Sequence, residues 1–246
     1  MSGHSKWATI KHAKGAADAK RGQMFTKLIK EISIAARMGG GDMAANPRLR
    51  TAILKARGAN MPKDNIDRAI KKGTGELEGV SYEELFYEAY AGGGIGMLIE
   101  VLTDNKNRSA ADVRNILTRG GGELAKAGSV SRLFKRVGII TLDGEKYTED
   151  QVMEAALDGG AEDVSASDGI IEVSTAPEDF EAVMETLTAK NFETLNAEIS
   201  MVAETELDLD KEAVAKIMRM IDKLEENDDV QNVYHNMAIP EGYSPE

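Results

Sequence analysis

Near residue 80 the spacing of apolar side chains changes, and that change limits the fold more than any other feature of the chain. Before it, apolar residues recur at the three-and-four spacing of a helix. Phe25, Leu28, Ile29, Ile32 and Ala36 share one face of a predicted helix over residues 22–38, which Gly39-Gly40-Gly41 stops. Asn46-Pro47, a cap followed by a first-turn proline, opens a second helix with Leu49, Ala52, Ile53 and Ala56 inward. Pro62 opens a third, with Ile66, Ala69 and Ile70 inward and Gly73 at its end. After residue 80 short runs separated by glycine read as strands over 85–91 and 97–102, around the turn Gly92–Gly96. A helix over 109–118 and a strand over 131–134 follow.

Residues 137–203 read as strand, helix, two short strands, helix and strand, the βαββαβ order of a ferredoxin-like domain. Asp210 then caps a helix with Val214, Ile217, Met218, Ile221 and Leu224 in one stripe, and 230–234 is a last strand. Joined to 80–136, this tail (204–246) makes a second βαββαβ set. The predicted class is therefore α+β. A basic flexible arm (1–21) precedes a small helical domain (22–79), and two ferredoxin-like domains follow, with 137–203 inserted into the other.

The net charge of −12 averages two opposite regions. Residues 1–73 hold 16 Lys+Arg against 5 Asp+Glu, whereas residues 74–246 hold 14 against 37. A one-sided basic segment on an acidic body marks a polyanion-binding part joined to a solubilising one. The chain has no cysteine, so disulfides and cysteine-ligated metals are excluded, and a reducing cytoplasm is expected. It has no apolar run long enough to span a membrane and no signal-peptide pattern.

Several stretches resemble the YebC-type family of transcriptional regulatory proteins. Gly3-His4-Ser5-Lys6-Trp7-Ala8, Ile10-Lys11-His12 and Asp18-Ala19-Lys20-Arg21-Gly22 carry the resemblance at the start of the chain. Asn46-Pro47-Arg48-Leu49-Arg50, Met61-Pro62-Lys63-Asp64-Asn65-Ile66, Leu102 to Arg108 and Asp229 to Asn236 continue it over nearly the whole length. It implies three domains, a helical one and two of α+β type, and a role in regulating gene expression. Relatives include the mitochondrial translational activator of cytochrome c oxidase, so a ribosome-associated role is implied as well. The chain departs from the family at Ala13, where a basic residue is usual, and at Tyr90-Ala91-Gly92-Gly93-Gly94, where Tyr-Gly-Pro-Gly-Gly is usual.

The candidate nucleic-acid residues begin with Lys6, Lys11, Lys14, Lys20 and Arg21 of the arm, whose charges neutralise phosphates. Trp7 and His12 sit among them and are suited to stacking on unpaired bases. Lys27 and Lys30 project from the first helix, Arg48 and Arg50 from the second, and Lys106 and Arg108 flank a helix start. No helix carries the Asn, Gln and Arg array of base readout, so backbone and shape recognition is expected. The glycine runs lack the Gly-Lys-Ser/Thr of a phosphate loop, and three histidines make a poor metal site. The expectation is a non-enzymatic, cytoplasmic, monomeric regulator without cofactor. Its partner is nucleic acid, either DNA or ribosomal RNA on the ribosome, with no membrane and no small-molecule substrate. The rival from another class is a protein-interaction scaffold using Tyr82, Phe86 and Tyr87.

Overall fold

A computed structural model describes residues 18–167 and 169–240, with side chains from residue 21. It divides into two compact units. One is Leu133–Glu206, and the other combines the preceding helices and strands, up to Arg132, with the tail from Leu207.

In the larger unit, α1 (Asp18–Gly39), α2 (Pro47–Gly58) and α3 (Lys63–Thr74) come first. The first helix begins earlier than predicted, so residues 18–21 belong to it and not to the arm. Ile32, Ala35, Ala36, Leu49, Ala52, Ile53, Met61 and Ile66 form the small core of the three helices, with Phe25, Leu28 and Ile29 packed at its margin. Truncating a fully buried member such as Leu49 or Ile53 to alanine costs about 2–5 kcal/mol, from lost transfer free energy and the cavity left behind. Asn46 fixes the α1–α2 turn. Its Oδ1 accepts from Leu49 N–H at 3.1 Å, and its Nδ2 donates to the Ala35 and Gly40 carbonyls, each at 2.8 Å. Gly73 sets how closely α3 approaches α1, because a Cβ there would lie 2.3 Å from the Ser33 carbonyl oxygen.

The same unit holds an antiparallel sheet in the order β3-β1-β2-β8. Its strands are β1 (Glu83–Tyr90), β2 (Gly96–Thr103), β3 (Glu123–Leu124) and β8 (Val230–His235). The helices α4 (Lys106–Gly120) and α7 (Lys211–Glu225) complete it. The tail thus returns to pair with β2, Leu98 opposite Tyr234 and Ile99 opposite Val233. The element order differs from the predicted βαββαβ. A hairpin joins β1 to β2, so two strands precede the first helix and the order is ββαβαβ. Gly93 makes that turn possible with φ 74°, a conformation that costs glycine little. The predicted strand over 131–134 is a 3-10 turn, Ser131–Leu133, leading into the strand that begins at Phe134. Glu88 anchors the segment before it, accepting the backbone N–H groups of Gly128, Val130 and Ser131 at 2.7, 2.5 and 3.0 Å.

The smaller unit follows the ferredoxin-like order as read. The strands β4 (Phe134–Asp143), β5 (Asp163–Ser167), β6 (Ile170–Thr175) and β7 (Thr194–Ala203) form a sheet in the order β5-β6-β4-β7. The helices α5 (Glu149–Asp158) and α6 (Phe180–Ala189) pack on one face. Ile140, Leu142, Val164, Ile171 and Val173 of the sheet meet Val152, Ala155, Phe180, Val183 and Leu187 of the helices. A capping box, Thr148 with Gln151, starts α5.

Candidate nucleic-acid interface

The N-terminal cations divide into two groups, those turned into the unit and those facing solvent. Gln23, Lys27, Lys30 and Ile34 stand at helical spacing on a second stripe of α1, away from its three-helix core. That stripe is covered by the sheet of the same unit. Lys30 is 5% exposed. Its ammonium donates to Asp229 Oδ1 at 2.5 Å, to the Asp228 carbonyl at 2.8 Å and to the Leu102 carbonyl at 3.2 Å. It also lies 5.5 Å from the centre of the Tyr82 ring. Lys27 donates to the Glu225 carbonyl at 2.7 Å, and Gln23 to the Glu225 and Glu226 carbonyls. These carbonyls end α7, where main-chain acceptors lack helical partners and a cation meets the negative end of the helix dipole.

Asp229 is the centre of this arrangement, and the sequence reading did not single it out. Besides Lys30, its Oδ2 accepts from Ser109 Oγ at 2.8 Å, Arg108 Nη2 at 2.9 Å and Thr103 Oγ1 at 3.0 Å. Burial opposes its ionisation, but the hydrogen bonds from Lys30, Arg108 and Ser109 outweigh it and bring the carboxyl down to about 2. Arg108 also binds Asp104 at 2.6 Å, and Lys106 pairs with Glu83. The helix start at Asn105 is thus occupied by the protein's own groups, Asn105 Oδ1 accepting from Arg108 N–H at 3.0 Å.

Arg48 is likewise engaged. Its guanidinium makes two forked pairs, to Glu31 at 2.7 and 3.1 Å and to Glu84 at 2.6 and 3.2 Å. Both carboxylates raise the pKa of Glu100, after burial, which is the largest cause of its upward shift. Glu100 Oε2 accepts from Asn232 Nδ2 at 2.8 Å and Tyr234 OH at 2.9 Å. Arg50 donates to the Met43 and Ala44 carbonyls. Lys30 and Arg48, expected to offer their charges to phosphate, are ion-paired within the unit, Lys30 to Asp229 and Arg48 to Glu31 of α1 and Glu84 of β1.

The other group faces solvent. Arg57 at the end of α2, and Lys63, Arg68, Lys71 and Lys72 on α3, are exposed and make no ion pair among the described residues. Arg21 is exposed with its guanidinium 5.6 Å from the Phe25 ring centre. Lys6, Trp7, Lys11, His12 and Lys14 lie outside the described residues, as does the side chain of Lys20. The scaffold candidates separate too. Phe86 is half exposed on β1, while Tyr87 OH donates to the Lys106 carbonyl at 3.2 Å. Among the described residues no cluster of His, Cys, Asp or Glu is placed to hold a metal ion, and no helix is long and apolar enough to cross a membrane.

Comparison with known proteins agrees over the whole chain. Residues 5–76 match the family model for the TACO1/YebC protein N-terminal domain, and residues 82–237 that for the TACO1/YebC second and third domain. A protein of Treponema denticola named "Probable transcriptional regulatory protein" is 65% identical over 243 residues, covering 99% of this chain and 98% of its own. One of the same name from Trichlorobacter lovleyi is 56% identical, covering 97% and 96%. The crystal structure of a conserved hypothetical protein from Aquifex aeolicus superposes with a TM-score of 0.85 at 43% identity, over 93% of this chain and 95% of that one.

Proposed function

The chain belongs to the TACO1/YebC family, and from that premise we propose that it is a non-enzymatic regulator of gene expression that binds nucleic acid through its N-terminal region. The observation that carries this reading is the free cationic surface of α2 and α3. Among the described residues Arg57, Lys63, Arg68, Lys71 and Lys72 make no ion pair, on a protein of net charge −12. The first seventeen residues add Lys6, Lys11 and Lys14 and contain no carboxylate. Such a surface recognises phosphates and groove shape, since α3 presents lysine and arginine with one half-buried amide, Asn65, and no array of amides to read base edges. The acidic remainder, 28 Asp+Glu against 6 Lys+Arg over residues 137–246, repels a polyanion and confines it to the N-terminal end. The names carried by the relatives favour duplex DNA as the target.

The test is the triple variant Arg68→Gln, Lys71→Gln, Lys72→Gln, measured by gel shift on duplex DNA and by ribosome pelleting across a salt series. Each lost phosphate contact should reduce the slope of log affinity against log salt by about 0.9 for duplex DNA and about 0.7 for single strands. An unchanged slope in both assays would remove this surface from the interface. A slope that changes only in ribosome pelleting would move the target from promoter DNA to ribosomal RNA.

A further inference from the structure

Arg48 spends its whole guanidinium on two carboxylates and a thioether, while a third carboxylate stands close by. The side chain has five N–H donors. Nε and Nη2 reach Glu31 of α1, Nη2 and Nη1 reach Glu84 of β1, and Nη1 also reaches Met38 Sδ at 3.5 Å. No donor remains for Glu100 of β2, and among the described residues no cation pairs with it. Register sets Glu100 opposite Phe86 of β1 and Asn232 of β8. Its partners are neutral, Asn232 Nδ2 and Tyr234 OH, and both donate to the same oxygen, Oε2. The other charges nearby are committed elsewhere. Lys30 pairs with Asp229, Lys27 holds the end of α7, and Glu88 accepts from the backbone of residues 128–131. Ionised together, Glu31, Glu84 and Glu100 would set three negative charges against one positive charge where α1, α2 and the sheet meet.

We propose that Glu100 holds a proton at this joint between the helices and the sheet, and that the joint loosens when the proton passes to solvent. An ionised Glu100 repels Glu31 and Glu84 and competes for their guanidinium, which weakens the forks that tie α1 and α2 to β1. Burial favours the protonated carboxyl most, and the charges of Glu31 and Glu84 add to it. Together they outweigh the hydrogen bonds from Asn232 and Tyr234, so the net direction is upward. The bound proton therefore contributes stability that is complete below the ordinary value of 4.5 and is lost as pH rises through the higher folded value. Because α2 and α3 carry the free cations, the same proton governs how that surface is held. This consequence rests on the proposed nucleic-acid binding, whereas the joint does not.

The test compares the full chain with Glu100→Gln, which stays neutral and keeps an oxygen for Asn232 and Tyr234. In urea unfolding, the ratio of the parent's unfolding constant to the variant's should grow about tenfold or more between pH 5 and pH 9. A flat or falling ratio would overturn the proposal. A carbon NMR titration of the glutamate carboxyls in the parent needs no variant, and a Glu100 signal that moves at or below the ordinary glutamate range would overturn it too. Loosening is read by hydrogen exchange corrected for intrinsic rates. Protection over residues 48–53 and 83–88 should fall severalfold more with rising pH in the parent than in the variant, and equal falls refute the loosening. In a gel shift on duplex DNA, the parent should lose severalfold more affinity than the variant over the same pH range. A constant ratio refutes the consequence for binding. No gel shift at all would end the functional reading and leave the titration standing.

Discussion

Two sets of cations, a few residues apart on the same three helices, have opposite fates. Lys27, Lys30 and Arg48 are drawn into the body of the molecule by Glu225, Asp229, Glu31 and Glu84. Arg57, Lys63, Arg68, Lys71 and Lys72 are exposed and make no ion pair among the described residues. The comparison teaches that the charge of a segment does not assign its charges to a partner. A helix exposed on one side sorts its lysines by what its neighbours leave unpaired.

The sharpest way to break this comparison is to treat an inner cation as though it were an outer one. Replacing Asp229 by alanine leaves the Lys30 ammonium buried without its counterion, and stability measured by urea unfolding should fall by about 3–5 kcal/mol. Arg48→Met comes next. It leaves Glu31 and Glu84 facing each other near the buried Glu100, for a loss of about 1–3 kcal/mol. Acid titration then isolates Asp229 itself. Its folded pKa of about 2 lies below the ordinary 3.8, so its contribution is present above pH 4 and is lost as pH falls through 2. The contribution is about 2 kcal/mol, and Asp229→Asn should flatten the stability profile across that window. The outer set gives the smallest change. The triple variant of Arg68, Lys71 and Lys72 should stay within about 0.5 kcal/mol of the parent while shifting the salt dependence of binding. A large loss of stability there would erase the distinction.

Local pattern made much of the fold readable. The three helices, the insertion of a βαββαβ unit and the return of the tail all follow from period, caps and glycine punctuation. The hairpin between β1 and β2 was visible as a turn, yet its consequence for element order depends on which strands pair, and pairing has no local signature. β3 is two residues long, too short to show any alternation. The inner cations were hardest to assign. Lys30 and Asp229 are 199 positions apart, and each looks like an ordinary surface residue in its own segment. One clue was available: Ile34 shares a stripe with Gln23, Lys27 and Lys30, and an isoleucine there is a reason to expect that the stripe is covered. Asp229 offered no such clue, standing in an Asn-Asp-Asp turn that reads as solvent loop.

The clasp between α1 and the end of α7 also sets an order of events. Gln23 and Lys27 wait for carbonyls roughly two hundred residues downstream, and Lys30 for a carboxylate still further on. While the polypeptide is being made, the first helix can pack its three-helix core but cannot close its other flank until the final strand has left the ribosomal tunnel. Until residues 225–229 have emerged these lysines stay in solvent, and a nascent fragment would display more positive surface than the folded chain does.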